Sequence, residues 1–328
     1  MKKIIFFTIC LLFDLTISYS QESLPYESKI ADLGEIQMEY MDYGGDGPAL
    51  IMIQDFHNYY EGPYKNPNSP MLGFNKSLSK EFHVIEPLRR GYGKSTDTKW
   101  GYDVATLSED LILFMKTLNI EKAFLYGRYP GNQEMTWLAE YYPEKIIGLI
   151  YYNNPLITVG CTDPEVLEHA ENTQIFSPDF NKEKLKRVIL SRSMWRPTFL
   201  TDTLKRISIP TIRFINPDLE STTLMLWSLE TGDLKLMSEE DWPDRKEEQQ
   251  YIKELLQDTV RYKRLHQKLI DCNPSEALEK GMKQTFGKNL ITKIEPEQYK
   301  DKSNLLIFNS YLQWQLENII DFKKEIEN

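Results

Sequence analysis

The residues with most chemical promise lie in one short stretch, Gly127-Arg128-Tyr129-Pro130-Gly131. An apolar run, Ala123 to Tyr126, leads into it, and a helical pattern, Gln133 to Tyr142, follows. Strand, very tight turn, helix is the frame of a nucleophile elbow, G-x-S-x-G, whose central serine presents its oxygen for attack on an acyl carbon. The flanking glycines suit such a turn, because close strand–helix packing leaves no room for a Cβ on either side. The centre, however, is Tyr129. A phenol with a pKa near ~10 is almost wholly protonated at neutral pH, and its ring carries the oxygen well beyond the serine position. No Cys/His cluster has metal-ligand spacing. No G-x-x-x-x-G-K-[ST] loop and no dinucleotide fingerprint occurs, so neither a metal nor a nucleotide cofactor is expected.

The elements that must position this turn follow from hydrophobic pattern. Gln37 to Met41 reads as a strand and ends at the turn Gly44-Gly45-Asp46-Gly47-Pro48. Ala49 to Ile53 is a continuous apolar run, the mark of a parallel strand buried on both faces. A polar loop from Gln54 leads to a helical stretch, Phe74 to Ser79, then a strand, Phe82 to Glu86, and a glycine loop, Arg89 to Ser95. Val104, Leu107, Leu111, Phe114, Met115 and Leu118 recur every three to four residues, which predicts an amphipathic helix. Ile146 to Tyr152 and Ile209 to Ile215 are further strands, Arg245 to Leu269 a long charged helix, Leu290 to Ile294 the last strand, and Leu312 to Ile326 a closing helix. This alternation predicts an α/β fold, a mostly parallel sheet with helices on both faces and ligands at the carboxyl ends of its strands.

Composition sets the compartment. Residues 1–20 read as a signal peptide: Lys2 and Lys3 open it, Ile4 to Leu12 is apolar but too short to span a bilayer, and Ser18-Tyr19-Ser20 offers small residues at the cleavage positions. Ile9 before Cys10 argues against a lipoprotein. The expected location is therefore secreted or periplasmic, with no stable membrane insertion once the leader is removed. The chain carries a formal charge of −10, an acidic balance that argues against nucleic-acid partners. Cys161 and Cys272 either pair in an oxidising compartment or stand as two buried thiols.

In this order of parts the chain resembles the α/β-hydrolase superfamily, in the capped branch of proline iminopeptidases and epoxide-hydrolase-like enzymes. Pro48 to Gln54, Pro87 to Ser95 and Ser108 to Ile150 carry the likeness. The second is similar to that family's D-x-R-G-x-G-x-S loop, and the third contains the elbow. The resemblance implies a hydrolase core over 21–155, a helical cap over 156–206, a core strand over 207–218, a helical insertion over 219–289 and the end of the core over 290–328. It also implies acyl transfer by serine, with a histidine base and an orienting acid. Each slot is altered. The nucleophile position is Tyr129, and the residue after it, which should donate a backbone N–H to the oxyanion, is Pro130, which has none. The other oxyanion loop reads Gln54-Asp55-Phe56-His57, so Asp55 brings a carboxylate to where negative charge must build. The base position falls at Asn304, and the acid at Asp218 or Glu220. The four histidines are His57, His83, His169 and His266.

These substitutions predict a hydrolase scaffold that has lost its chemistry and binds a small molecule or peptide in the old pocket. The expected lining is Asp55, Phe56, His57, Tyr92, Arg128, Tyr129, Pro130 and Trp195. Tyr129 either lines that pocket or plugs it. Two alternatives stand beside this. One is a serine-independent ester or aminoacyl hydrolase, with Tyr129 activated at a helix N-terminus and Asp55 or His57 as base. The other is an interaction protein acting through the charged insertion.

Overall fold

The computed structural model describes residues 24–53, 69–98, 101, 104–128, 131–152, 207–215, scattered positions between 254 and 264, 274–300 and 305–328. The leader, the 156–206 cap, the 245–269 helix apart from those positions, and Cys161 and Cys272 lie outside the described residues. So do Asp55, Phe56, His57, Tyr129, Pro130, Trp195, Asp218, Glu220 and Asn304.

Eight strands form one sheet: β1 (Glu27–Asp32), β2 (Gln37–Gly44), β3 (Ala49–Ile53), β4 (His83–Pro87), β5 (Ala123–Arg128), β6 (Ile146–Tyr152), β7 (Thr211–Ile215) and β8 (Leu290–Ile294). Their order is β1-β2-β4-β3-β5-β6-β7-β8. The pairs β1–β2 and β2–β4 are antiparallel and the rest are parallel. Central strand β3 is apolar throughout because helices cover both its faces; Leu50, Ile51 and Met52 are completely buried. Strand β1 escapes the sequence pattern for the opposite reason. It is an edge strand, mostly exposed, and its charged residues give no apolar alternation.

On one face lie α1 (Pro70–Leu78) and the closing helix α5 (Leu305–Glu327). They bury Leu72, Phe74, Leu312, Ile319 and Phe322 against Leu50, Met52, Val84, Phe124 and Ile150. Helix α5 begins before the expected Leu312 because its first six residues are largely exposed, and the apolar stripe starts only at Tyr311. On the other face lie α2 (Val104–Thr117), α3 (Gly131–Tyr141) and α4 (Pro274–Phe286). Leu111, Met115, Met135, Leu138, Met282 and Phe286 pack there against Ile51, Ile53, Leu125 and Leu149. The stretch 219–289 thus ends in a helix that packs into the core, anchored further by Arg213 of β7, whose Nη2 donates to Glu279 at 2.6 Å. Among the described residues no helix is long and apolar enough to cross a membrane.

The strand–turn–helix unit is packed to the limit of glycine. A Cβ on Gly127 would overlap the sulfur of Met135, and one on Gly131 would overlap the carbonyl oxygen of Ile53. The second neighbour is backbone and cannot rotate aside. Gly131→Ala is therefore expected to destabilise the fold by about 1–3 kcal/mol, the range for overpacking, measured as a lower urea midpoint with unchanged slope.

Candidate functional site

The carboxyl edge of the sheet gathers the loop after β4, the end of β5 and the start of α3. The glycine loop at 88–95 is fixed as scaffold. Gly91 and Gly93 take positive φ values of 79° and 53°. A side chain at Gly93 would also collide with Leu88 and with the carboxylate of Glu39. That carboxylate accepts the Lys94 amide at 2.6 Å and the Ser28 hydroxyl at 2.5 Å. Ser95 accepts the Glu39 amide at 2.9 Å and donates to the Leu88 carbonyl at 2.7 Å.

Both arginines of the loop are spent on structure. Arg90 grips Asp110 of α2 with two bonds of 2.8 and 2.7 Å, and Arg89 Nε donates to Glu134 of α3 at 2.6 Å. Burial raises the Glu134 carboxyl above its usual range, with Arg89 pulling the other way. These pairs lock the loop to the two helices behind it. Removing one partner leaves a buried charge uncompensated, so Asp110→Ala is expected to cost about 3–5 kcal/mol in a denaturant titration.

Of the expected lining residues, two are described. Tyr92 is buried and belongs to the cluster holding Leu88 and Leu107. Arg128 ends β5, opposite Tyr152 of β6 in the register, and is half-buried. Its Nε donates to the Tyr126 hydroxyl at 3.2 Å, and its guanidinium carbon stands 4.4 Å from the centroid of the Tyr152 ring. Asn132, in the first turn of α3, donates to the Tyr152 carbonyl at 3.0 Å, which ties the helix start to the same strand end. The described histidine, His83, lies at the amino end of β4, the far end of the sheet from the elbow. There it bonds Asp42 at 2.9 Å beside Lys29, on the wall of an open groove of about 580 Å³. Among the described residues no group of three His, Cys, Asp or Glu side chains could hold a metal.

A cluster that sequence reasoning missed lies on the α1/α5 face under the carboxyl ends of β4, β5 and β6. Glu86 of β4 is wholly buried. Its Oε2 accepts the Tyr43 hydroxyl at 3.0 Å and the Asn75 amide at 2.8 Å. Burial pushes its carboxyl up to about 7, against the opposing pull of Tyr43, Arg128 and Asn75. The signal was present in Glu86 itself, an acid inside an otherwise apolar strand.

A carboxyl held protonated in the fold up to about pH 7, but released near its ordinary 4.5 in the unfolded chain, stabilises the fold fully below pH 4.5. That contribution is lost as pH rises towards 7. Glu86→Gln fixes the neutral form. It is expected to remove this slope and to exceed the parent in stability above pH 7 by roughly 3 kcal/mol, read from urea unfolding across pH.

No protein-family model matches the chain. Two curated proteins are similar to part of it. One is the AB hydrolase superfamily protein YfhM of Bacillus subtilis (strain 168), 27% identical over 139 residues, which are 42% of this chain and 43% of that protein. The other is the bifunctional esterase/perhydrolase DCH of Acinetobacter calcoaceticus, 26% identical over 136 residues, 40% of this chain and 47% of that protein. The chain thus spans less than half the length of these relatives. Among solved structures, epoxide hydrolase VrEH1 from Vigna radiata aligns with a TM-score of 0.43 at 15% identity, over 65% of this chain and 87% of that one. A bacterial membrane phospholipase A aligns with a TM-score of 0.41 at 18% identity, over 58% and 70%.

Proposed function

We propose that this chain, an α/β-hydrolase superfamily protein by sheet topology and by sequence likeness, has kept the fold's binding cleft and lost its hydrolytic chemistry. One observation carries the reading. The backbone of Ile53 leaves no room for a Cβ at Gly131, and Met135 crowds Gly127, yet the residues between the two glycines are Arg128, Tyr129 and Pro130. The frame that serves a nucleophile is retained while the groups it would serve are not. Loss of one oxyanion donor alone costs ~10²–10³ in rate, and Pro130 supplies no N–H. His83 supports the same reading, since it is committed to Asp42 at the opposite end of the sheet. None of the other three histidines lies beyond position 266, so none follows the last strand, where the resemblance places the base.

In place of the catalytic groups, the carboxyl edge offers Arg128 set among Tyr126, Tyr152 and Tyr311. Aromatic faces with polar tips beside one cation suit capture of a small organic ligand rather than its cleavage. The proposed site of action is outside the cytoplasm, following the leader at 1–20.

The test pairs turnover with binding. The protein is expected to leave p-nitrophenyl esters and amino-acid p-nitroanilides unhydrolysed above background. Its melting temperature is expected to rise on titration with at least one class among short peptides, sugars and acyl esters. Ester turnover that disappears in Tyr129→Phe overturns the loss of chemistry; a melt unmoved by every class overturns the binding.

A further inference from the structure

The amino edge of the sheet, at the far end from the elbow, carries a groove of its own. The strand registers set Asp42 of β2 opposite Ile85 of β4, and His83 of β4 opposite Ala49 of β3. Side chains alternate along a strand, so Tyr40 and Asp42 share one face of the sheet with His83, Ile85 and Ala49. With the stretch 118–122 they wall a cavity of about 580 Å³, within the ~300–1,000 Å³ usual for small-molecule sites. The chain turns back over this face because α2 ends abruptly. Asn119 takes a φ of 56°, and the Ile120 amide donates to the Met115 carbonyl at 2.8 Å. Leu118 and Ile120 thereby pack beside Ile85 and give the groove an aliphatic side.

Two polar groups of the groove are unspent. Tyr40 is only 7% exposed, and its ring meets that of Phe114 edge-on at 5.2 Å. Its hydroxyl has no hydrogen-bond partner among the described residues, whereas a buried phenol ordinarily finds one. The second group is His83, whose Nε2 lies 2.9 Å from Asp42 Oδ1. Burial raises the Asp42 carboxyl, but bonds from Lys29, the Gly44 amide and His83 outweigh it and hold the group below its ordinary range. Asp42 is therefore an ionised acceptor, and the neutral imidazole carries its proton on Nε2. That leaves Nδ1 as an acceptor with no partner among the described residues.

Independently of the cleft at the carboxyl edge, we propose that this groove binds a neutral aromatic alcohol. The hydroxyl of such a ligand accepts from the Tyr40 hydroxyl and donates to His83 Nδ1, and its ring lies along Ile85, Leu118 and Ile120. Tyr40 and Asp42 stand two residues apart on one face of β2, and His83 is bonded to the second, so one small polar group serves both. Charge balance selects a neutral ligand. Asp42 is matched by Lys29 at 2.7 Å, and the exposed rim carries Glu121 and Lys122, one of each sign. A carboxylate ligand would set a second negative charge beside Asp42. A sugar would lay its many hydroxyls against aliphatic side chains, where they stay unpaired. No covalent bond forms or breaks.

Calorimetric titration of the full chain with naphthalenemethanol, its methyl ether and naphthoate tests this, at about pH 7.5 where an ordinary imidazole is neutral. The alcohol is expected to bind with a Kd below about 1 mM, at least about fivefold more tightly than the ether, which cannot donate, or the carboxylate. Tyr40→Phe and His83→Phe are each expected to weaken the alcohol about five- to tenfold without lowering the affinity of the ether. Tyr40→Phe is also expected to keep the parent's melting temperature, because the hydroxyl it removes bonds nothing in the free protein. The His83 side chain is 40% exposed, so His83→Phe decides alone should Tyr40→Phe lack a native melt. An ether bound as tightly as the alcohol, an alcohol that does not bind, or an alcohol affinity unmoved in both variants overturns the inference. Each of those results leaves the cleft reading at the carboxyl edge standing, since Tyr40 and His83 lie at the other end of the sheet.

Discussion

Everything at the functional edge of this protein depends on how closely the first turn of α3 approaches the end of β3. Gly131 rests against the Ile53 carbonyl and Gly127 against Met135 and Asn132. That approach fixes where β5 must stop, and with it the position of Arg128. It also brings Asn132 within reach of Tyr152, so the ends of β5 and β6 and the start of α3 become one rigid corner. A scaffold of this stiffness is needed for nucleophilic catalysis, but it serves recognition equally well, because a preorganised cation loses less entropy on meeting its ligand.

Buried charge is used here in two ways. In the glycine loop, Arg89 and Arg90 meet their acids directly, and the desolvation of each ion is offset by short bonds to its partner. These pairs hold a loop whose positive-φ glycines give it little stiffness of its own. Glu86 and Arg128 are arranged differently, since their hydrogen bonds go to neutral groups on β2, α1 and β5.

Much of the scaffold was legible in the sequence, for physical reasons particular to each element. Strands β3 and β6 sit where apolar runs demanded burial on two faces, and α2 where apolar residues recur every three to four positions. The close approach of β5 and α3 was legible because a steric limit on Cβ leaves a visible mark, glycine at 127 and 131. The buried polar cluster was not. Tyr43, Asn75, Glu86, Arg128, Tyr152 and Tyr311 come from six elements spread over most of the chain, and no period links them. A lone acid in an apolar strand is ambiguous until the neighbouring helix shows what it faces. The inward packing of α4 was hidden in a similar way, since its surroundings in the chain are rich in charge and its apolar anchors, Met282 and Phe286, are few.

The closing helix covers residues made long before it. Phe322 lies edge-on to Phe124 with ring centroids 6.4 Å apart, and Lys323 stands 5.5 Å over the ring of Phe82. At ~5–20 residues per second of synthesis, some ~10–40 s separate the emergence of Phe124 from that of its partner. Throughout that interval one side of the central strands has no α5 to cover it. Exposed apolar surface of this kind is the general hazard of a core closed by its last element.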